Sequence, residues 1–286
     1  MTPRTVLLTA VAMVAFAANS LLCRAALAPG LIDAASFASL RVASGAATLI
    51  VILAVRDRRA ALPSADRRTV AALFAYVAFF SFAYIWLSAG TGALLLFGAV
   101  QITMFSVALR RGEPFTAWSW AGLAAAILGL VYLVSPGVTA PDPLGAVLMV
   151  VAGVAWGVYS LIGRGAGDPL AATAGNFLYV VPLVAVVSLI FLRDLDISAH
   201  GVALAVASGA VASGCGYVIW YAALPGLTAT RAATVQLSVP AIAALGGVLF
   251  MAEDVTLRLV IASAATIGGV AVVLSQRAGQ ASAGKN

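Results

Sequence analysis

Ten times between Val6 and Gln276 the sequence returns to an apolar run of about 18 to 22 residues, the length a helix needs to cross a hydrocarbon layer about 30 Å thick. The runs lie near 6–23, 35–55, 69–88, 91–109, 118–135, 144–163, 169–192, 201–223, 228–250 and 257–276. With 63% of its 286 residues hydrophobic and 9% charged, the chain has too little polar surface to coat a water-soluble domain. It reads as an all-α integral membrane protein, because a backbone in lipid must satisfy its own hydrogen bonds.

Two of the runs repeat. MVAFAANSLLCR (Met13 to Arg24) and GVAWGVYSLIGR (Gly153 to Arg164) align at an offset of 140 residues through Val14/Val154, Ala15/Ala155, Ser20/Ser160, Leu21/Leu161 and Arg24/Arg164, with Phe16 opposite Trp156. The same offset joins Glu113, Thr116 and Gly129 to Glu253, Thr256 and Gly269. This predicts two five-span units, residues 1–137 and 138–277, with a disordered cytoplasmic tail at 278–286. Five is odd, so the second unit enters the membrane upside down relative to the first. The units are then related by a pseudo-two-fold axis in the membrane plane, as in secondary transporters whose substrate site lies where the repeats meet.

Several local expectations follow. Glu113 and Glu253, each three residues before a threonine, suit the positive end of the helix that follows. Gln101 lies 12 residues before Glu113 and Gln236 lies 17 before Glu253, so the fourth span is expected to be shorter or bent compared with the ninth. Arg4 and the VLLTAVAMVAFAA behind it have the outline of a signal peptide. A segment duplicated deep inside the chain is better read as part of the fold. No lipidation or retention motif is evident.

The net charge of +6 is not a nucleic-acid signature, because the arginines sit in loops and form no basic stripe with interleaved aromatics. Alternating through ten spans, one side collects Arg4, Arg56, Arg58, Arg59, Arg67, Arg68, Arg110, Arg111, Arg164, Arg277 and Lys285. The other side holds Arg24, Arg193 and Arg258. The positive-inside rule then places both termini in the cytoplasm and the chain in the cell inner membrane. Cys23 and Cys215 fall within spans and read as packing residues, and His200 has no metal-ligand neighbours in sequence. Neither a metal nor a cofactor is expected.

The QLSVPAI run (Gln236 to Ile242), the MAED at Met251 to Asp254, Arg41 in the second span and the doubled five-span unit resemble the drug/metabolite transporter superfamily, in particular its EamA-type ten-helix members. The FGAVQITMF run (Phe97 to Phe105) is similar to the YddG-type exporters of aromatic amino acids. The resemblance implies a central cavity built mainly by spans one, three, four, six, eight and nine, and outward transport of amino acids or drug-like organic molecules. One departure stands out. Small four-helix relatives that exchange drugs for protons carry a mid-helix glutamate, whereas here Asn19 and Ser20, and Tyr159 and Ser160, occupy the matching region.

Polar groups inside a bilayer face a cavity or a neighbouring helix. The substrate-binding candidates are Asn19, Ser20, Gln101 and Gln236 among polar residues, and Tyr76, Phe80, Tyr84, Trp156, Tyr159 and Tyr217 among aromatics. Interhelical hydrogen bonding is the competing role for the amides, and a backbone bond one turn back for Ser20 and Ser160. Arg41 lies too deep to stand alone. It could meet a substrate carboxylate, but a structural role is favoured because the other half offers only Val181 at the same offset. Trp86 and Trp220, near span ends, suit an interfacial belt, while Trp156 sits too deep for one.

The short joins at Ala89–Gly92 and Leu224–Gly226 suggest two tight hairpins that rock over the cavity, and Pro182 and Pro240 are expected to interrupt their helices. Gly122, Ala126 and Gly129 permit close helix packing within one chain or between two, and a monomer or weak homodimer is expected. A cavity of rings and amides without fixed charge suits an aromatic or apolar amino acid better than a nucleotide sugar or polyamine. An intramembrane enzyme lacks its catalytic groups here, with no HExxH, GxSxG or paired embedded acids. A purely structural or lipid-binding membrane protein would not require the two matched halves. The expected partners are a small-molecule substrate and membrane lipid.

Overall fold

The computed structural model of the chain describes residues 2–57, 64–112, 115–163, 166–227 and 229–283. Arg58, Arg59, Glu113, Arg164 and Lys285 of the sequence argument lie outside the described residues. The first seven spans are α1 (Pro3–Leu27), α2 (Ala34–Asp57), α3 (Arg67–Ala83), α4 (Ala89–Arg110), α5 (Ala117–Val134), α6 (Pro143–Gly163) and α7 (Pro169–Ile190). The eighth joins α8 (Ala199–Val206), a π-helical segment (Ala207–Cys215) and α9 (Gly216–Ala223). The ninth is α10 (Ala229–Gln236) plus α11 (Ser238–Met251), and the tenth is α12 (Leu257–Ala283). Among the described residues nine of these segments are long and apolar enough to cross a membrane. At 17 residues α3 is shorter, and the turn at Tyr84–Trp86 extends it into the tenth place.

Helix starts follow from short polar side chains. Thr2, Asp66, Ser88, Thr116, Asp168 and Ser198 each accept a first-turn amide of the helix they precede. Around the outside, large apolar side chains such as Leu7, Val55, Leu189 and Phe250 stand exposed, the surface a lipid solvent requires.

The packing has the pattern that a two-fold relation between halves produces. The first span packs on the eighth as α6 packs on α3, and α1 meets α11 as α6 meets α4. Spans two and seven, four and nine, and five and ten pair with their own counterparts. Gly122 and Gly129 of α5 are used within the chain. A Cβ on Gly122 would come 2.5 Å from the Gly269 carbonyl, and one on Gly129 would come 2.6 Å from Thr266 Oγ1.

Five features depart from the sequence expectations. The bend lies in the ninth span and not the fourth: α4 is unbroken, while the ninth breaks at Leu237. Pro240, in the first turn of α11, has no N–H to donate to the carbonyl of Gln236, so one helical hydrogen bond is missing at the break. Pro182, by contrast, sits within an uninterrupted α7. The backbone of α12 continues to Ala283, into the stretch expected to be an unordered tail, because SQRAGQASA is rich in residues that tolerate helix. Glu253 does not serve the helix after it, a point that belongs to the site below.

The fifth departure is the π segment. Ser208 and Ser213 both donate to Asn19 Oδ1, at 3.0 and 3.1 Å. A spacing of five aligns on one face in a π turn and not in an α turn. The widened turns also press glycine against the neighbouring backbone: a Cβ on Gly209 would lie 2.1 Å from the Arg41 carbonyl oxygen.

At the end of the bundle that carries both chain termini, Arg56 of α2 donates to Asp168, with Nη1 at 3.1 Å from Oδ1, and so ties α2 to the start of α7. That guanidinium, with the Leu170 and Ala171 amides adding to it, holds the Asp168 carboxyl below the usual carboxylate value. A depressed native pKa contributes stability that is present above the unfolded value of about 3.9 and is lost as pH falls through the native one.

Gly209→Ala is expected to cost about 1–3 kcal/mol by overpacking and to lower the unfolding midpoint in detergent. Gly268→Ala, whose Cβ would meet nothing within 4 Å, should not lower it. Asp168→Asn should flatten the acid limb of the same measurement between neutral pH and about pH 3.

Candidate functional site

A cavity of about 520 Å³ lies between the two halves. The first half lines it with Phe16, Asn19, Ser20, Tyr76, Phe80 and Gln101, and the second with Trp156, Tyr159, Ser160, Tyr217, Trp220 and Gln236. At the 140-residue offset Phe16 answers Trp156, Asn19 answers Tyr159, Ser20 answers Ser160 and Phe80 answers Trp220. Tyr76 and Tyr217 miss that register by one residue and the two glutamines by five. Nine of the ten sequence candidates therefore meet around one space.

The walls are aromatic. Trp156 stands 4.8 Å from Tyr76, 5.2 Å from Tyr159 and 5.8 Å from Tyr217, centroid to centroid. Phe16 packs 5.8 Å from Tyr217 and 5.9 Å from Trp220. Polar atoms sit between the rings. Asn176 accepts from Thr69 Oγ1 at 2.9 Å and donates to the Tyr159 hydroxyl at 3.4 Å, and Thr173 and Tyr221 share a hydroxyl pair at 2.7 Å. Asn19 has its oxygen committed to the π segment, so it is both an interhelical tie and a wall residue. Among the described residues the lining includes no Asp, Glu, Lys, Arg or His.

Trp220 is the main revision. Expected in an interfacial belt, it is only 8% exposed and lines the cavity. Its register with Phe80 was the sequence signal. Interfacial positions instead suit Trp86, 41% exposed, and Trp118 and Trp120 at the start of α5, which are 68% and 53% exposed.

Tyr84 is the candidate the cavity excludes. Its ring is fully buried, edge-on to Phe80 at 4.9 Å and against Gly92, where even a Cβ would come within 2.5 Å. Its counterpart at the 140 offset, Leu224, does line the cavity. The two ends of the molecule thus differ where the sequence makes them equivalent. Toward the chain termini the cavity runs on past Gly163, Ala166, Pro169 and Ala232. Toward the opposite end it stops.

Charged residues hold that stop. Arg24 Nε donates to Glu253 Oε1 at 3.2 Å, and Arg24 Nη1 donates to the carbonyls of Tyr84 and Ile85 at 3.2 and 3.1 Å. Glu253 in turn accepts the Ala89 amide at 2.9 Å through Oε2. Glu253 therefore caps α4, a helix of the other half, while Thr256 caps its own α12 through the Leu259 amide at 3.1 Å. One ion pair binds α1, the turn between α3 and α4, and the loop before α12.

Arg41 lies behind the wall, 1% exposed. It bonds no helix end. Its Nη2 donates to the Tyr76 hydroxyl at 2.9 Å, and its guanidinium stacks 4.7 Å from the Phe80 ring centre.

Arg24→Gln and Glu253→Gln should be non-additive in a double-mutant cycle on detergent unfolding, with a coupling of about 1 kcal/mol or more. Additive losses would mean that the two side chains act separately.

The comparisons with known proteins agree with this architecture. Residues 143–275 match the EamA-like transporter family. Along 97% of both chains the sequence is 52% identical to the uncharacterized protein PA1977 of Pseudomonas aeruginosa. It is 26% identical over 252 residues to an uncharacterized transporter of Archaeoglobus fulgidus, covering 85% of this chain and 89% of that one. A solved structure titled only as the crystal structure of a protein superposes with a TM-score of 0.69 at 20% identity, covering 94% of this chain and 96% of its own. That likeness is one of fold. With a relative matched along almost its whole length and the family signature across its second half, the chain belongs to the EamA-like transporter family.

Proposed function

We propose that the chain exports amino acids with aromatic or other apolar side chains across the cell inner membrane by alternating access through the central cavity. The carrying observation is the convergence of paired residues from both halves on one aromatic space, uncharged among its described lining residues, that is sealed at one end and continues toward the other. Its volume falls within the usual range for small-molecule sites. Rings on several sides suit an apolar side chain, and amide and hydroxyl groups between them suit the polar head of a zwitterion. A phosphorylated sugar or a polyamine would leave its charges unmatched by this lining.

The resemblance of FGAVQITMF to aromatic amino-acid exporters supports the substrate class, since Phe97, Gln101 and Met104 of that run face the cavity. The positive-inside count places both termini in the cytoplasm, which makes the sealed end the outer one. On this reading the two halves are the units 1–137 and 138–277, and the sealed and open ends exchange during the cycle.

Purified protein in liposomes should equilibrate labelled phenylalanine faster than protein-free liposomes. Trp156→Ala should lower kcat/KM for phenylalanine by about tenfold or more, as expected when a ring contact worth about 1–2 kcal/mol is lost from the site. Its expression in the membrane should stay unchanged. Absence of phenylalanine flux in the wild type contradicts the proposal.

A further inference from the structure

Resting on the reading above, we propose that Arg41 and Tyr76 form a carboxylate-recognition relay, so that the cavity selects substrates bearing a carboxylate rather than apolar amines. Arg41 is fully buried, and its Nε and Nη1 have no hydrogen-bond partner among the described residues. A guanidinium in such a place is costly unless something nearby uses its charge. Its one hydrogen bond, from Nη2 at 2.9 Å, goes to the oxygen of the Tyr76 hydroxyl. Tyr76 itself lines the cavity.

The direction of that bond decides the chemistry. Because the Tyr76 oxygen accepts from Arg41, its own O–H proton is left to donate elsewhere, and polarisation by a cation makes it a stronger donor. Among the described residues the cavity lining holds no cation of its own. Phe80, stacked on the guanidinium, keeps Arg41 from reaching the cavity directly, which makes Arg41 a positioning residue and Tyr76 the contacting one. Nor, among the described residues, does the lining hold an acid that would match a substrate ammonium. The site thus favours an anionic head on an apolar body, and an amino acid enters it carboxylate first.

The test measures binding to the purified full chain by calorimetry with three probes: phenylalanine, 3-phenylpropanoate and 2-phenylethylamine. The two carboxylates should bind more tightly than the amine. Tyr76→Phe, which keeps the ring, should weaken both carboxylates by about tenfold, as expected for one hydrogen bond to a charged group, and leave the amine within about twofold. Arg41→Lys should weaken the carboxylates in the same pattern to a smaller degree. Retained amine binding shows that each variant is folded. Equal losses for all three probes, no loss for any, tightest binding of the amine, or no binding of any probe to the wild type would each overturn the relay. Tyr76-dependent binding of 3-phenylpropanoate without phenylalanine binding would keep the relay and remove the amino-acid reading. Phenylalanine transport indifferent to Tyr76→Phe would do the reverse.

Discussion

A hydrocarbon solvent leaves a polar side chain nowhere to go but against another part of its own protein. In this chain that constraint brings several polar side chains together where the two halves meet. Asn19 of the first span reaches Ser208 and Ser213 of the eighth, Thr69 of the third reaches Asn176 of the seventh, and Arg24 at the end of the first reaches Glu253 before the tenth. Each bond crosses between halves. The same surfaces, lined by aromatic rings in matching register, enclose the cavity.

The difference between the two ends carries the mechanistic content. Sequence makes Arg24 the counterpart of Arg164, Tyr84 of Leu224 and Ala89 of Ala229, so the two ends occupy equivalent places in the repeat. In the folded chain one end is closed by an ion pair, two carbonyls and a helix N-terminus, while the cavity continues toward the other. A partly exposed pair, with side chains 21% and 14% accessible, holds by a modest energy, which suits the latch that the proposed cycle requires. Near-equal ends with a modest bias between them are what an alternating carrier requires.

Much of this was legible in the sequence, because lipid imposes a length on each apolar run and duplication imposes a register. Phe16 stood opposite Trp156 by register, and the two glutamines, which slip that register by five, stood out as amides within apolar spans. What escaped depends on backbone irregularity and on which end is shut. Nothing in ASGAVASGC announces π turns, although its small residues permit them, and the partner that Asn19 found there could not be read in advance. Trp220 was misassigned because its nearness to a span end outweighed its register with Phe80. Glu253 was given to the helix that follows it, whereas the fold brings a different helix start within reach, and Tyr84 was counted with the cavity because a ring stripe does not reveal a seal.

The central claim is that two inverted halves share one cavity whose ends open in turn. Spin-label distances in liposomes test it directly, with one label pair at Ala28 and Ile85 on the sealed end and another at Ile162 and Pro225 on the other. Added phenylalanine should shift the two distance distributions in opposite senses, one lengthening as the other shortens. Distances that both stay fixed, or that lengthen together, would contradict it.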